Sequence, residues 1–142
     1  MTAKLSPEEM QSFAEEGLVK PDCRLPEQTM RRMRALTDNT LVATQGQPPE
    51  SIVCPYLPGW NGLPEAITDE WLAIAGTPEI VDYVAAVLGS DIILWGGQFF
   101  CKPAYTGLEV PWHQDGEYWP ITPLKTCSVW LAIDDVTSEN GC

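Results

Sequence analysis

The hydrophobic pattern of this chain changes period at Gly89. Before it, Ile80, Val81, Val84, Val87 and Leu88 recur three and four apart, which draws one apolar stripe down a 3.6-residue helix. After it the pattern alternates. From residue 126 to 133, Thr, Ser, Trp and Ala fall on one face and Cys, Val, Leu and Ile on the other, the period of a half-buried strand. Helices followed by strands, without a βαβ rhythm or repeats, predict an α+β chain that is mainly β in its second half, an antiparallel sheet covered on one side by helices. At 142 residues, 44% hydrophobic and 20% charged, the chain is sized for a single domain and composed to fold.

Capping residues mark the helices. Ser6-Pro7-Glu8-Glu9 offers a serine cap, a first-turn proline and a glutamate three residues after the cap, so a capping box opens a helix that Gly17 ends, with Met10 and Phe13 facing inward. A second helix is expected from near Pro26 to about Thr37, with Met30, Met33 and Leu36 on its buried stripe. Residues 38–64 lose all periodicity among Gly46, Pro48, Pro49, Pro55, Pro58, Gly59 and Gly62, which predicts a long loop whose Tyr56 and Trp60 either pin it to the body, the commoner case, or reach a substrate. Two short helices follow, one capped by Thr68 and running to about Ala75, the other opened by Thr77-Pro78-Glu79 and ended by Gly89. Strands are expected at 91–95 and 98–102, interrupted at Gly96-Gly97, then a loop over 103–111, a strand carrying His113, and the strand 126–133.

The chemistry concentrates in Val110 to Gly116, V-P-W-H-Q-D-G, which holds the one histidine of the chain. On an extended backbone His113 and Asp115, two apart, project to the same side, and Trp112 projects to the other, toward the core. A histidine and a carboxylate so placed provide two of the three protein ligands of a facial metal site that keeps positions open for a cosubstrate and oxygen. Gly116 allows close backbone approach.

Charge and cysteines exclude several classes of function. With 20 acidic against 8 basic residues, a net charge of -12 disfavours nucleic acid and anionic membrane as partners. The cluster Arg31, Arg32, Arg34 reads as a solvated helix face. Five cysteines with no C-x-x-C pair indicate neither a disulfide framework nor a zinc knuckle. The opening residues have no apolar h-region, and no apolar run approaches the roughly 18 residues of a membrane span. The expectation is a soluble, cytoplasmic protein with free thiols, its oligomeric state not legible.

The run from Gln98 to Cys142 contains K-P-A-Y-T-G, then W-H-Q-D-G, then W-L-A-I-D-D-V-T-S-E-N-G. In this it resembles the central portion of the phytanoyl-CoA dioxygenase family, and L-S-P-E-E-M at Leu5 resembles that family's first helix. The resemblance implies an iron(II) and 2-oxoglutarate dependent dioxygenase, using oxygen to hydroxylate a small organic substrate, on a double-stranded β-helix (jelly roll, cupin-like) with N-terminal helices packed on it. It implies His113 and Asp115 as iron ligands. It points to Trp119 for 2-oxoglutarate, because a tryptophan at this spacing lies near the cosubstrate in the ectoine hydroxylase branch. Beside it, Lys102 at a strand end either pairs with a carboxylate of cosubstrate or substrate or reaches solvent, Gln98 joins the cosubstrate candidates if the strand register turns it to the pocket, and Tyr118 and Trp60 are substrate-side candidates. The family's third ligand, a histidine, and its 2-oxoglutarate arginine lie downstream of the E-N-G turn, and neither occurs here. Asn140-Gly141 also favours a two-residue hairpin turn, with only Cys142 after it. The expectation is therefore an incomplete single domain, helical and looped over about 1–89 and carrying the first jelly-roll strands over about 90–142. Two alternatives remain beside the dioxygenase: a non-catalytic jelly-roll module, and a cupin-type metal-dependent isomerase or hydrolase.

Overall fold

Ser6 begins the first helix. In the structure, a computed structural model describing residues 5–142, the Ser6 hydroxyl accepts from the Glu9 amide at 3.1 Å and the Glu9 carboxylate accepts from the Ser6 amide at 2.7 Å. This capping box opens α1, Pro7–Glu16, which closes on Gly17 at φ 71, a conformation glycine adopts without a Cβ penalty. Met10 and Phe13 are only half-buried, and α1 buries no side chain fully. Replacing Ser6 with alanine is therefore expected to cost about 1 kcal/mol locally. Amide exchange in the first turn of α1 should accelerate while the melt of the core stays put.

The core is built by α2, Glu27–Ala43, against α3, Glu65–Ala75. Met33 and Leu36 of α2 are 2% exposed, and they cluster with Ile52, Trp71, Ile74 and Phe99. The second helix runs six residues beyond the expected end at Thr37. Thr37, at the expected end, and Thr40, in the expected loop, donate back along the helix, Thr37 to the Met33 carbonyl at 2.9 Å and Thr40 to that of Leu36 at 2.8 Å, so their hydroxyls are satisfied without leaving it. Thr40, fully buried, also accepts from the Trp71 indole at 2.9 Å.

Thr68 is not a cap. It lies one turn inside α3, where its buried hydroxyl donates to the Glu65 carbonyl at 2.9 Å, and Pro64 precedes the helix instead. Thr77 does stand at the cap of α4, Pro78–Leu88, but its side chain makes no capping bond. Lys125 Nζ donates to the Leu88 carbonyl at 2.9 Å, a cation at the helix's negative end. No single helix among the described residues is long and apolar enough to cross a membrane; the apolar α3 and α4 are bent 52° apart.

The strands expected at 91–95, 98–102 and 126–133 are not formed among the described residues. The chain beyond Leu88 is extended or turned, and its one antiparallel rung joins Val53 to Gln98. A strand exists only through its ladder, and among the described residues the pairing stops at one rung, where Cys54 donates to the Gly97 carbonyl at 2.6 Å and Phe99 to that of Ile52 at 3.2 Å. Side-chain alternation holds only over 130–133, where Leu131 and Ile133 pack on the core and Trp130 is exposed; Val129, expected on the inward face, is exposed as well. Arg34 fastens this segment to α2, donating to the Ile133 carbonyl at 2.6 Å and pairing with Asp134 at 3.3 Å. Its neighbours pair too, Arg31 with Glu27 and Arg32 with Glu70.

The Asn-Gly turn also departs from the hairpin expectation. Asn140 closes a 3₁₀ turn at Ser138–Asn140 and only Gly141 is left-handed, at φ 86. The Thr137 carbonyl accepts from both the Asn140 and Cys142 amides, and the Asn140 side chain caps Thr137 and Asp135. Asparagine used this way is a side-chain cap, which a type I′ turn would not need.

Candidate metal-binding site

The site grows from a local hydrogen bond. His113 Nδ1 lies 2.8 Å from the Pro111 carbonyl oxygen, which can only accept, so Nδ1 carries the proton and Nε2 is the ring's outward atom. Nε2 faces Asp115 Oδ1 at 3.1 Å. A lone pair on each atom would repel, so the contact requires a positive occupant, either a proton on Nε2 or a metal ion in its place. The Pro111 carbonyl is the main reason the His113 pKa lies above the ordinary histidine value; desolvation opposes it and Asp115 adds to it.

The separation suits a metal. Two adjacent donors on an octahedral ion with bonds of about 2.1 Å lie roughly 3 Å apart. The carboxylate is fixed from its other oxygen by Ser128, whose hydroxyl donates to Asp115 Oδ2 at 2.9 Å. Asp115 also begins a 3₁₀ turn, Asp115–Glu117, its carbonyl accepting from the Tyr118 amide at 3.0 Å, and this brings the Tyr118 ring edge-on to His113 with centroids 6.2 Å apart. His113, Asp115, Tyr118 and Ser128 thus form one partly exposed cluster. It supplies two strong ligands only: among the described residues no three His, Cys, Asp or Glu side chains group to hold a metal ion.

The other candidates stand elsewhere. Gln98 and Lys102 line a different, open groove of about 270 Å³ with Phe99, Leu108 and Val110, and neither His113 nor Asp115 borders it. The Lys102 ammonium donates to the Gly141 carbonyl at 2.6 Å. Trp119 is half-buried and Trp112 fully exposed, so Trp112 does not enter the core as its alternation suggested; the extended segment has no sheet to give that face a cover. Trp60 is exposed in a run of turns, while Tyr56 packs on the core with its hydroxyl 3.7 Å from Cys54 Sγ, its pKa pushed up to about 12 first by burial and then by that thiol. All five cysteines are free, and burial raises the thiol pKa of Cys101 and Cys127. Ser128 was missed as a site residue. The alternation of 126–133 put it on one face with Trp130, but not which face met Asp115.

Two motif glycines are spatial. A Cβ on Gly116 would meet the Leu124 side chain at 2.6 Å, an exposed group free to move. One on Gly107 would meet Lys102 Cβ at 2.8 Å and the Pro103 carbonyl at 3.1 Å, at the turn where the Gly107 amide donates to Pro103. Gly107→Ala is expected to open that turn at a cost of about 1–3 kcal/mol, and Gly116→Ala to cost less than about 1 kcal/mol. Denaturant melts of the two variants check the order.

The sequence context of this cluster extends over most of the chain. The family model for phytanoyl-CoA dioxygenase (PhyH) matches residues 13–142. The chain is 36% identical over 70 residues to the mouse protein "Phytanoyl-CoA dioxygenase, peroxisomal", covering 46% of this chain and 20% of that one. It is 34% identical over 70 residues to the human protein of the same name, with the same coverage of each. With the "Phytanoyl-CoA dioxygenase domain-containing protein 1 homolog" of Dictyostelium discoideum it shares 43% over 49 residues, 34% of this chain and 17% of that protein. The chain spans about a fifth of the length of the curated relatives it matches. No solved structure matches it. With the histidine and aspartate paired as donors inside a match that runs from Phe13 to Cys142, the chain belongs to the phytanoyl-CoA dioxygenase family.

Proposed function

We propose that residues 110–128 carry the iron-binding face of an iron(II) and 2-oxoglutarate dependent dioxygenase that hydroxylates a small organic substrate. The observation that supports this most is the pair of donors, His113 Nε2 and Asp115 Oδ1, 3.1 Å apart with Nδ1 committed to Pro111. When bound, iron(II) with 2-oxoglutarate and oxygen supplies the oxidising power for hydroxylating a C–H bond. This chain's residues bind and orient. His113 presents the neutral tautomer that metals take, Asp115 presents one oxygen, and Tyr118 walls the histidine. The jelly roll belongs to the same proposal: segments 91–102 and 126–133 are extended, and the single rung at Gln98 is the start of a ladder that further strands would complete. A facial triad needs a second histidine, and residues 1–142 contain a single one, His113, so these residues supply two of its three protein ligands.

The test is spectroscopic. Iron(II) added anaerobically to the chain, followed by 2-oxoglutarate, should produce the visible charge-transfer absorption of a 2-oxo acid chelating iron(II), whereas succinate should not. If 2-oxoglutarate and succinate give the same spectrum, chelation is refuted. One observation favours a second reading, a non-catalytic module: the single histidine. Under that reading, iron(II) and 2-oxoglutarate added to the chain would give neither the charge-transfer absorption nor any succinate release.

A further inference from the structure

Resting on that reading of the site, we propose that Ser128 is a positioning residue that holds Asp115 as a one-oxygen ligand. A carboxylate has two oxygens with equal claims on a metal. If both bind, the second occupies a coordination position that a facial site must leave free for cosubstrate or oxygen. In this chain the two oxygens are distinguished. Oδ2 accepts from the Ser128 hydroxyl at 2.9 Å, and Oδ1 is the one that faces His113 Nε2 at 3.1 Å.

The serine comes from a separate segment, 13 residues along the chain, so the contact is tertiary and not a by-product of the local turn. The segment is anchored near its far end: Ile133 packs on the core, and its carbonyl accepts from Arg34. Hydrogen bonds to the far oxygen of a ligating carboxylate orient it and tune its affinity, and losing such a partner typically costs 10–100-fold in metal binding. Ser128 would thereby give a site with few protein ligands the fixed carboxylate rotamer that its chelate geometry needs.

Cobalt(II) serves as probe, titrated anaerobically into the chain by calorimetry and by its d–d absorption. Ser128→Ala is expected to weaken binding about 10–100-fold and to change the d–d band as the freed oxygen joins the metal. Ser128→Thr keeps the hydroxyl and should return both affinity and band close to those of the unsubstituted chain, with far-ultraviolet circular dichroism unchanged in every variant. Equal affinity in Ser128→Ala, or a threonine variant as impaired as the alanine one, overturns the proposal. His113→Ala separates the two ideas: if it binds cobalt as well as the unsubstituted chain, the site itself is misplaced. If it loses cobalt while Ser128→Ala keeps it, only the role of Ser128 falls. No cobalt binding by the unsubstituted chain overturns both.

Discussion

Replacing Trp71 with alanine is expected to cost about 3–5 kcal/mol, the largest stability effect in the chain. Three connections end on this one side chain. It is 8% exposed in the α2–α3 interface, its ring stands edge-on to Phe99 with centroids 4.8 Å apart, and its indole N–H donates to the buried Thr40 hydroxyl at 2.9 Å. The cluster it belongs to is small, six buried residues, so few neighbours can collapse into the space left. With total stabilities of domains at about 5–15 kcal/mol, such a loss takes most of the margin. Trp71→Phe keeps much of the volume and loses the N–H, leaving Thr40 still bonded to Leu36, and should cost substantially less, about 1–2 kcal/mol. Urea unfolding followed by circular dichroism measures both. A shift below about 1 kcal/mol for the alanine variant would mean that the α2–α3 pair is not the centre of the core.

The second large effect is on metal binding. Iron(II) should bind the chain weakly, since two protein donors are available where a facial site uses three. His113→Ala should nonetheless reduce that affinity by more than about a hundredfold, because outer-shell changes alone reach 10–100-fold and this removes a ligand. Asp115→Ala should act similarly. Lys102→Ala should leave iron affinity unchanged, because its ammonium is held by the Gly141 carbonyl. Anaerobic calorimetry with iron(II) distinguishes these outcomes. Affinity that survives both His113→Ala and Asp115→Ala would locate the metal elsewhere in the chain.

The legible part of the structure was the part governed by neighbours in sequence. The capping box at Ser6 and Glu9 formed as its spacing required, as did the glycine stops at Gly17 and Gly89, because a cap is satisfied within one turn. Helix α2 was under-read for a tertiary reason. Thr37 and Thr40 are weak helix formers in isolation, but back-bonding to carbonyls kept both helical, and Thr40 is in addition buried against Trp71. Thr68 was misread as a cap because a threonine before an apolar run looks the same whether it precedes a helix or lies a turn inside one.

His113 and Asp115 were legible as a pair because their spacing alone places both on one side, and the backbone of Pro111 decides the tautomer within two residues. Sequence determined the capping box, the glycine stops, the apolar stripes of the helices and the shared side of His113 and Asp115, since each depends on bonds or periodicities a few residues long. Tertiary structure alone decided the rest. Only there do Ser128 and Asp115 meet, Arg34 reach Ile133, and Lys102 turn to Gly141 instead of toward His113 and Asp115. Strands are the limiting case: alternation marks which residues would face a core, but a strand's hydrogen bonds belong to its partner, and within residues 5–142 the only rung found is Val53 with Gln98.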